Sequence, residues 1–245
     1  MKPDDIILYS QLVAEEGAAL QRGMNYGTKK NYSVFLMSIR KGAPYRDKVD
    51  RKTGIIVYEG HDAPKKAGVD SKAIDQPLTT PNGKWTENGK FFRAAIDYKS
   101  GFAKKPHLIK IYEKLSKGKW CYKGVFELVD AAYVFDGKRK AFRFHLHPVV
   151  KTILRGRVEI PLRRLIPTEV KVEVWKRDHG RCVLCGSNEN LHYDHEIPFS
   201  KGGSSITSAN VRLLCAKHNL AKSDKIMSAA LLAQLGLGAS AQIYN

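Results

Sequence analysis

The chain has few cysteines, few acidic residues and no long apolar run. Only four of its 245 residues are cysteines, which excludes a disulfide-stapled secreted scaffold, so we expect a reducing cytoplasm. No apolar stretch approaches the roughly 20 residues that a membrane-spanning helix needs, so we expect no membrane partner. The N-terminus has no basic flank followed by an apolar run, and we expect no signal peptide.

Acidic residues are heavily outnumbered, with 24 Asp and Glu against 42 Lys and Arg, a net charge of +18. Such a balance favours a polyanionic partner, most simply nucleic acid. The excess is uneven, because residues 168–245 contain 9 basic and 7 acidic residues, a net charge of +2. Residues 1–167 hold the other 33 basic and 17 acidic residues, a net charge of +16. We therefore expect a basic region that binds the nucleic acid and brings a nearly neutral second region to it.

Apolar patterns and turn signals predict an α+β chain in three parts. Residues 1–150 read as a helix at 4–22 followed by a domain of short strands that form a curved sheet or small barrel. Residues 151–167 are a basic linker punctuated by prolines, and residues 168–245 are a small domain with a C-terminal helix at 226–236. The predicted strands, rich in β-branched and aromatic residues, cover 32–39, 54–58, 91–96, 108–112, 125–134 and 141–146.

Three cysteines and a histidine near the C-terminus have the spacing of metal ligands. Cys182 and Cys185 form one pair and Cys215 and His218 another, each with two residues between its members. Thiolate and imidazole at this spacing can close a tetrahedron around zinc, and a site with four protein ligands is structural. A lone Cys-x-x-Cys could be a redox pair, but the second pair favours zinc.

A second set of ligands lies inside or beside this zinc clip and is not needed to fill it. Asp194, His195, Asn210 and Asn219 supply oxygen atoms beside an imidazole, which suits a hard cation such as Mg²⁺ and a general base. Neighbouring residues on a regular strand point in opposite directions. We therefore predict a bulge or a strand end at Asp194 and His195, so that both can face one phosphate.

The run Tyr-Asp-His-Glu-Ile-Pro, the Gly-Gly turn, the lone Asn210 and the Asn-x-x-Lys that follows the clip form a composite signal. Residues 168–225 resemble an HNH (ββα-metal) endonuclease domain of the zinc-clipped kind. The last zinc position is His218, where cysteine is commoner, but zinc accepts either ligand. The resemblance implies a small zinc-stabilised ββα-metal fold.

The HNH resemblance also implies a role for each site residue. His195 would be the general base, and Asp194 and Asn219 would hold one Mg²⁺ or Mn²⁺. Lys222 would contact phosphate. Asn210 would hydrogen-bond to the backbone and fix the loop that holds His195.

The larger N-terminal domain carries a second set of motifs. They are Tyr45-Arg-Asp-Lys-Val-Asp, Ile55-Ile-Val-Tyr-Glu-Gly-His, Asp75-Gln-Pro-Leu-Thr-Thr-Pro-Asn82, Tyr122-Lys-Gly124 and the closing Phe-Arg-Phe-His-Leu strand. Their order and spacing resemble an SRA (SET- and RING-associated) domain, which reads modified cytosine in DNA. This sequence has Lys123 where the family's Tyr-Asp-Gly has aspartate, and it has one residue inserted between Tyr45 and Tyr58.

The SRA resemblance offers Tyr45 and Tyr58 as two rings that stack on an extruded base. Asp47, or as second choice Asp50, would accept from the cytosine amino group, a pairing that discriminates cytosine. Alternatively, the two tyrosines are core or sheet-surface aromatics without a role in binding.

Together the two resemblances imply a modification-dependent restriction endonuclease. Its partner would be double-stranded DNA carrying 5-methylcytosine or 5-hydroxymethylcytosine. Because one HNH site cuts one strand, double-strand cleavage implies a homodimer or paired binding. Two alternatives stay open: a catalytically silent reader of modified DNA, and a nuclease for unmodified DNA with a generic basic binding domain.

Overall fold

The computed structural model describes residues 1, 3–20, 22–29, 31–40, 42–50, 53–65, 67–149, 166–228 and 231. The chain divides into two compact units, one of Leu8–Ile153 and the other of Met1–Ile7 with Leu154–Asn245. The predicted linker at 151–167, except its last two residues, and most of the predicted C-terminal helix at 226–236 lie outside the described residues. Within the described ranges, no helix combines the length and apolarity needed to cross a membrane.

The described part of the chain contains ten strands and four α-helices. The strands are β1 (Ile6–Leu8), β2 (Met24–Lys29), β3 (Tyr32–Met37), β4 (Lys48–Val49), β5 (Ile56–Glu59), β6 (His107–Ser116), β7 (Lys119–Phe135), β8 (Lys140–Pro148), β9 (Leu191–His195) and β10 (Val211–Cys215). The α-helices are α1 (Tyr9–Glu16), α2 (Glu87–Lys99), α3 (Thr168–Arg177) and α4 (Ala216–Lys222).

The Leu8–Ile153 unit is built on a mixed sheet with the strand order β2-β3-β6-β7-β8-β5-β4. Neighbouring strands are antiparallel except β3 and β6, which run parallel. The register shifts between Ile111 and Tyr112 and again between Leu128 and Asp130. Such bulges increase the local twist of a sheet. The predicted α+β class with a curved sheet is confirmed.

One face of this sheet carries the core. Along β8, Phe142, Phe144 and Leu146 are fully buried, whereas Arg143 is half-buried and His147 is exposed, as the alternating sequence predicts. The buried side chains cluster with apolar residues of β2, β3, β5, β6 and β7 and of α2. Burial of this face gives the unit its main apolar stabilisation.

The predicted strand at 91–96 is wrong, because these residues belong to helix α2. The hydroxyl of Thr86 accepts a hydrogen bond from the backbone N–H of Gly89 and caps the helix. Phe91 and Ala95 lie one turn apart and are both fully buried. The Phe91 ring packs edge-on against Phe35, with centroids 4.6 Å apart. The cap and the four-residue spacing outweigh the aromatic content that suggested a strand.

The predicted helix at 4–22 is much shorter in the structure, where α1 covers Tyr9–Glu16. The residues before it are extended and form β1, and Gly17 ends it in the left-handed conformation with φ 64°. Apolar residues on both sides of this short helix therefore extended the apparent helical pattern beyond its true ends.

The second unit contains a two-stranded ribbon followed directly by a helix. Strands β9 and β10 pair antiparallel, with Leu191 opposite Cys215 and His195 opposite Val211. Helix α4 begins at Ala216, immediately after β10, and α3 precedes the ribbon. This arrangement is the ββα order that the HNH resemblance implies.

Residues near the N-terminus belong to this second unit. The carboxylate of Asp4 pairs with the ammonium of Lys171, which is fully buried. Asp5 forms an antiparallel bridge with His192, and its carboxylate lies 3.1 Å from His192 Nδ1. The sequence predicts that these residues belong to the other domain. Contacts across more than 160 residues leave no local pattern in the sequence that would indicate otherwise.

Candidate functional site

The four predicted zinc ligands come together at the base of the ribbon. The Sγ atoms of Cys185 and Cys215 are 3.8 Å apart, and Nδ1 of His218 lies 3.4 Å from Cys182 Sγ and 3.3 Å from Cys215 Sγ. All four ligand atoms lie within 4.8 Å of one another. Zinc–sulfur bonds of about 2.3 Å in a tetrahedron require ligand atoms roughly 3.8 Å apart. The cluster therefore fits a structural zinc ion.

Local structure places these ligands. Cys182 and Cys185 lie in the loop after α3, where the backbone N–H of Gly186 donates to the carbonyl of Cys182 at 2.8 Å. Cys215 ends β10, and His218 lies in the first turn of α4. Burial lowers the pKa of His218, which favours the neutral imidazole that a metal ligand must be. The cluster thus joins the loop, the ribbon and the start of α4.

Asp194 and His195 lie at the end of β9. Asp194 is opposite Arg212 and His195 is opposite Val211, and His195 is the last residue of the strand. The predicted strand end at this position is confirmed. Both side chains are half-buried, and both residues are paired with β10 in a register without a bulge, so the strand ends only after His195.

Asn210 fixes the loop between the two strands of the ribbon. Its Oδ1 accepts a hydrogen bond from the backbone N–H of Ile197 at 2.8 Å. Its Nδ2 donates to the carbonyl oxygens of Ile197 at 3.1 Å and Ser204 at 3.0 Å. The hydrogen bonds to backbone expected from the sequence are present, and they hold the segment that follows His195.

Lys222 contacts a carboxylate and is buried. Its Nζ lies 2.6 Å from Asp194 Oδ2, and its side chain is 1% exposed. Asn219 precedes Lys222 by three residues in α4, so both lie on the same face of the helix. This face of α4 is therefore the one that meets Asp194 on β9.

The carboxylate of Asp194 has the Lys222 ammonium as its neighbour. Apart from the ion pair, neither Asp194 Oδ2 nor Lys222 Nζ has a hydrogen-bond partner within the part of the chain that the structure describes. The ammonium of Lys222 therefore engages Asp194 Oδ2, and a carboxylate has a second oxygen of the kind that hard cations prefer as ligands. The carboxylate of Asp194 and the amide oxygen of Asn219 are oxygen donors, and their chemistry is compatible with Mg²⁺ or Mn²⁺.

Ser205 is a site residue that the sequence analysis missed. Its hydroxyl lies 2.8 Å from Nε2 of His195, and the residue is 1% exposed. The signal in the sequence was weak: a serine two residues after the Gly202-Gly203 turn, one of two adjacent serines. Only the fold of the loop decides which of them reaches the imidazole.

In the other unit, the two predicted stacking rings do not face each other. Tyr58 is 1% exposed and packs against Phe35 in the core, with centroids 4.3 Å apart. Tyr45 is half-buried and stacks on His61, with centroids 5.4 Å apart and planes inclined by 22°. The hydroxyl of Tyr58 reaches to 3.5 Å from Nε2 of His61. His61 therefore lies between the two tyrosines.

His61 was given no role from the sequence, yet it is held firmly. Its backbone N–H donates to Asn88 Oδ1 at 2.8 Å, and Asn88 Nδ2 donates back to the carbonyl of His61 at 2.8 Å. Burial lowers the pKa of His61 to about 4, so the imidazole is neutral at pH 7. A methyl group added at Gly23 would lie 2.7 Å from both His61 Nε2 and the Tyr58 hydroxyl. Gly23 therefore makes room for this pair of polar atoms.

Of the two candidate carboxylates, Asp47 lies beside this group. Burial raises the pKa of Asp47 to about 7, although the backbone N–H of Glu59 donates to its Oδ1 at 3.0 Å and opposes the rise. Asp50 is exposed, and its carboxylate accepts from the backbone N–H of Thr53 at 2.9 Å in a turn. Asp50 thus has a local structural role, whereas Asp47 can change its protonation state near pH 7.

A network of buried ion pairs holds the segment that carries Tyr45 and Asp47. The guanidinium of Arg139, 2% exposed, donates to Glu59 at 3.2 Å and also to Asp62. Arg143 donates to the second oxygen of Glu59 at 3.0 Å. Glu59 Oε2 in turn accepts from the backbone N–H of Arg46 at 2.9 Å, next to Tyr45. Fully paired buried charges fix geometry, so the segment carrying Tyr45 and Asp47 is held in place.

Comparison with known proteins gives one family match and several structural likenesses. Residues 182–225 match the HNH endonuclease family. A search of curated protein sequences gives no match. The SRA domain of SUVH5 in complex with hemimethylated CG DNA is 15% identical and has a TM-score of 0.41, with 60% of this chain and 87% of that chain covered.

Two restriction endonucleases are similar over longer spans. The modification-dependent endonuclease TagI is 16% identical with a TM-score of 0.40, over 92% of this chain and 78% of that chain. The type IV phosphorothioation-dependent endonuclease ScoMcrA is 14% identical with a TM-score of 0.39, over 100% of this chain and 60% of that chain. At sequence identities this low, the substrates of these two endonucleases are not assigned to this chain.

Proposed function

We propose that this protein is a modification-dependent DNA endonuclease that reads 5-methylcytosine or 5-hydroxymethylcytosine and hydrolyses a nearby phosphodiester. The observation that carries the proposal is the ribbon-and-helix site, where Asp194 and His195 end β9 beside α4 and a Cys3His cluster joins these elements. The match of residues 182–225 to HNH endonucleases supports the same chemistry. The large positive charge of residues 1–167 supports a DNA partner.

The hydrolytic step follows from the roles of a base and a cation. His195 takes a proton from the attacking water, a role for which histidine is suited near pH 7. Asp194 and Asn219 would hold Mg²⁺ or Mn²⁺, which supplies charge neutralisation at the phosphate and its leaving oxygen. Lys222 balances the charge of Asp194 within the site.

The zinc cluster has a structural role in this proposal. A module of about sixty residues has little core, so it needs a metal clip to hold the distance between β9 and α4. The same clip sets the separation of His195 from Asn219. A reducing compartment such as the cytoplasm keeps Cys182, Cys185 and Cys215 available as thiolates.

Base reading is proposed for the group around Tyr45. A modified base must leave the duplex stack to be read closely, at a cost of roughly a few kcal/mol. Stacking on an aromatic ring offsets this cost by about 1–3 kcal/mol per base, and Tyr45 offers such a ring. Asp47 would pair with the cytosine edge. Tyr58 offers no stacking face in the conformation described, because its ring is buried and its hydroxyl donates to the carbonyl of Leu36 at 3.3 Å.

Double-strand cleavage requires two such nuclease sites, because each site cuts one strand. We therefore propose that the protein acts as a homodimer or binds in pairs at its target. Sedimentation of the protein with and without a methylated duplex would distinguish these arrangements.

Cleavage of matched plasmids tests the proposal. Methylated and unmethylated plasmids are incubated with the protein and Mg²⁺ or Mn²⁺, and we expect cutting of the methylated plasmid only. Equal cutting of both would support a nuclease for unmodified DNA. Tight binding to methylated DNA without cutting would support a silent reader.

A further inference from the structure

Ser205 is a buried hydroxyl in contact with the imidazole of His195. Its Oγ lies 2.8 Å from Nε2, and Ser205 is 1% exposed. We infer that Ser205 is a positioning residue that fixes the orientation of the His195 ring and supports its Nε2–H tautomer by accepting a hydrogen bond. This inference rests on the proposed function, because it concerns the residue proposed there as the general base.

The loop that carries Ser205 is fixed at the two residues that precede it. A methyl group added at Gly203 would lie 1.7 Å from the carbonyl oxygen of Ile197, so only glycine fits there. The backbone N–H of Gly203 donates to the carbonyl of Pro198 at 3.1 Å, and Asn210 Nδ2 donates to the carbonyl of Ser204 at 3.0 Å. These backbone contacts therefore fix the position from which the short Ser205 side chain reaches His195.

The contact decides which nitrogen of His195 can act as the base. A neutral imidazole carries one proton, so one ring nitrogen donates and the other accepts. Nε2 faces the buried Ser205 hydroxyl, so the nitrogen that takes a proton from water must be Nδ1. For Nδ1 to be unprotonated, Nε2–H must donate to Ser205 Oγ. The oxygen of the Ser205 hydroxyl can accept this hydrogen bond, so the contact holds the ring in the orientation that the productive tautomer needs.

Loss of the hydroxyl should affect the base but not the binding of DNA. Without an acceptor at Nε2, the Nδ1–H tautomer becomes accessible and the ring gains freedom to rotate. Residues that orient a metal-ligating histidine through its second nitrogen typically change activity by roughly 10- to 100-fold when removed, and we expect the same range for a histidine that acts as a base. We expect a loss of this size in the rate of cleavage, with the dissociation constant for DNA unchanged.

Three variants of the full chain test the inference. Ser205→Ala removes the hydroxyl and Ser205→Thr retains it. Ser204→Ala removes the neighbouring hydroxyl, which accepts from the backbone N–H of Ile206 at 3.3 Å. We expect Ser205→Ala to lose activity roughly 10- to 100-fold, while Ser205→Thr and Ser204→Ala stay near the wild-type rate.

The tautomer itself can be measured without DNA or catalysis. Long-range nitrogen–proton correlation spectra of histidine-labelled protein report which nitrogen of each imidazole is protonated, and His195→Ala assigns the relevant signal. We expect the Nε2–H form in the wild type and a shift towards the Nδ1–H form in Ser205→Ala. An unchanged tautomer together with an unchanged cleavage rate in Ser205→Ala would overturn the inference.

The zinc content and the urea midpoint of each variant show whether it is folded. Should Ser205→Ala not fold, Ser205→Cys nearly keeps the volume but offers only a weak hydrogen-bonding group, and the same shift in tautomer is expected. A wild-type tautomer in Ser205→Cys would then contradict the inference. Failure of the proposed function looks different, because in that case the wild-type protein itself would cut no DNA.

Discussion

Tyr45 and His61 stack on each other, with their ring centroids 5.4 Å apart and their planes inclined by 22°. The imidazole is clamped through its backbone by Asn88, whereas the tyrosine is half-buried at the edge of the group. The partner of Tyr45 is thus a histidine already in place, and an incoming base would compete with that histidine for the ring.

Replacing Tyr45 by alanine should weaken the preference for modified DNA. Loss of one base-stacking ring costs about 1–3 kcal/mol, which corresponds to roughly a 5- to 150-fold weaker affinity for a methylated duplex. The measurement is the dissociation constant for methylated and unmethylated duplexes. Tyr26→Ala is the matched control, because Tyr26 stacks on His107 elsewhere in the same unit, with centroids 4.8 Å apart. Equal losses in the two variants would contradict a role for Tyr45 in reading the base.

Replacing Tyr58 by alanine should mainly destabilise the fold. Tyr58 is fully enclosed in the core, and truncation of a large buried aromatic ring typically costs about 3–5 kcal/mol. Tyr58→Phe keeps the ring and should retain most of the stability. Urea unfolding followed by fluorescence distinguishes the two variants. A Tyr58→Ala protein as stable as the wild type would show that the ring leaves the core.

The protonation of Asp47 should make stability depend on pH. Burial raises its pKa from the ordinary value of 3.8 to about 7, so between these values the folded protein binds a proton that the unfolded chain does not. The free energy of unfolding therefore falls as pH rises through this window, by at most about 1.4 kcal/mol per pH unit, and the loss is complete above pH 7.

Asp47→Asn should remove this part of the pH dependence. Urea unfolding of both proteins at pH 5 and pH 8 measures it, and we expect the wild type to lose stability relative to the variant at the higher pH. A difference that does not change with pH would mean that Asp47 is ionised throughout.

Removing the carboxylate of Asp4 should destabilise the second unit, because it leaves the buried ammonium of Lys171 without this partner. Breaking one side of a buried ion pair typically costs about 3–5 kcal/mol. We expect Asp4→Ala to lower the urea midpoint of this unit, and Lys171→Met to restore much of the loss in the double variant. If Asp4→Ala unfolds like the wild type, the N-terminal residues do not stabilise this unit.

Replacing His195 by alanine should abolish cleavage while leaving DNA affinity and zinc content unchanged. A general base contributes roughly 100- to 10,000-fold to the rate, so residual cutting should fall by at least this factor. Plasmid cleavage, a binding titration and zinc analysis on the same preparation check the three expectations. Cleavage at the wild-type rate would remove His195 from its assigned role.

The sequence by itself determined the local features of the chain. The spacing of Cys182, Cys185, Cys215 and His218 predicts the metal cluster because ligands two residues apart are brought together by short turns. Alternation along β8 predicts its buried face for an equally local reason. The helix α2 was mistaken for a strand because its aromatic residues were weighed above the cap at Thr86 and the four-residue spacing of its buried side chains.

Tertiary structure decided what depends on contacts between distant residues. Nothing near Tyr58 in sequence indicates that its ring enters the core while Tyr45 stacks on His61, because burial is set by strands and a helix that pack from elsewhere. The choice of Ser205 over Ser204, the burial of Lys222 against Asp194 and the pairing of Asp4 with Lys171 are of the same kind. The sequence sets which chemical groups are present, but burial and neighbouring charges, which change their pKa values and contacts, exist only once the chain has packed.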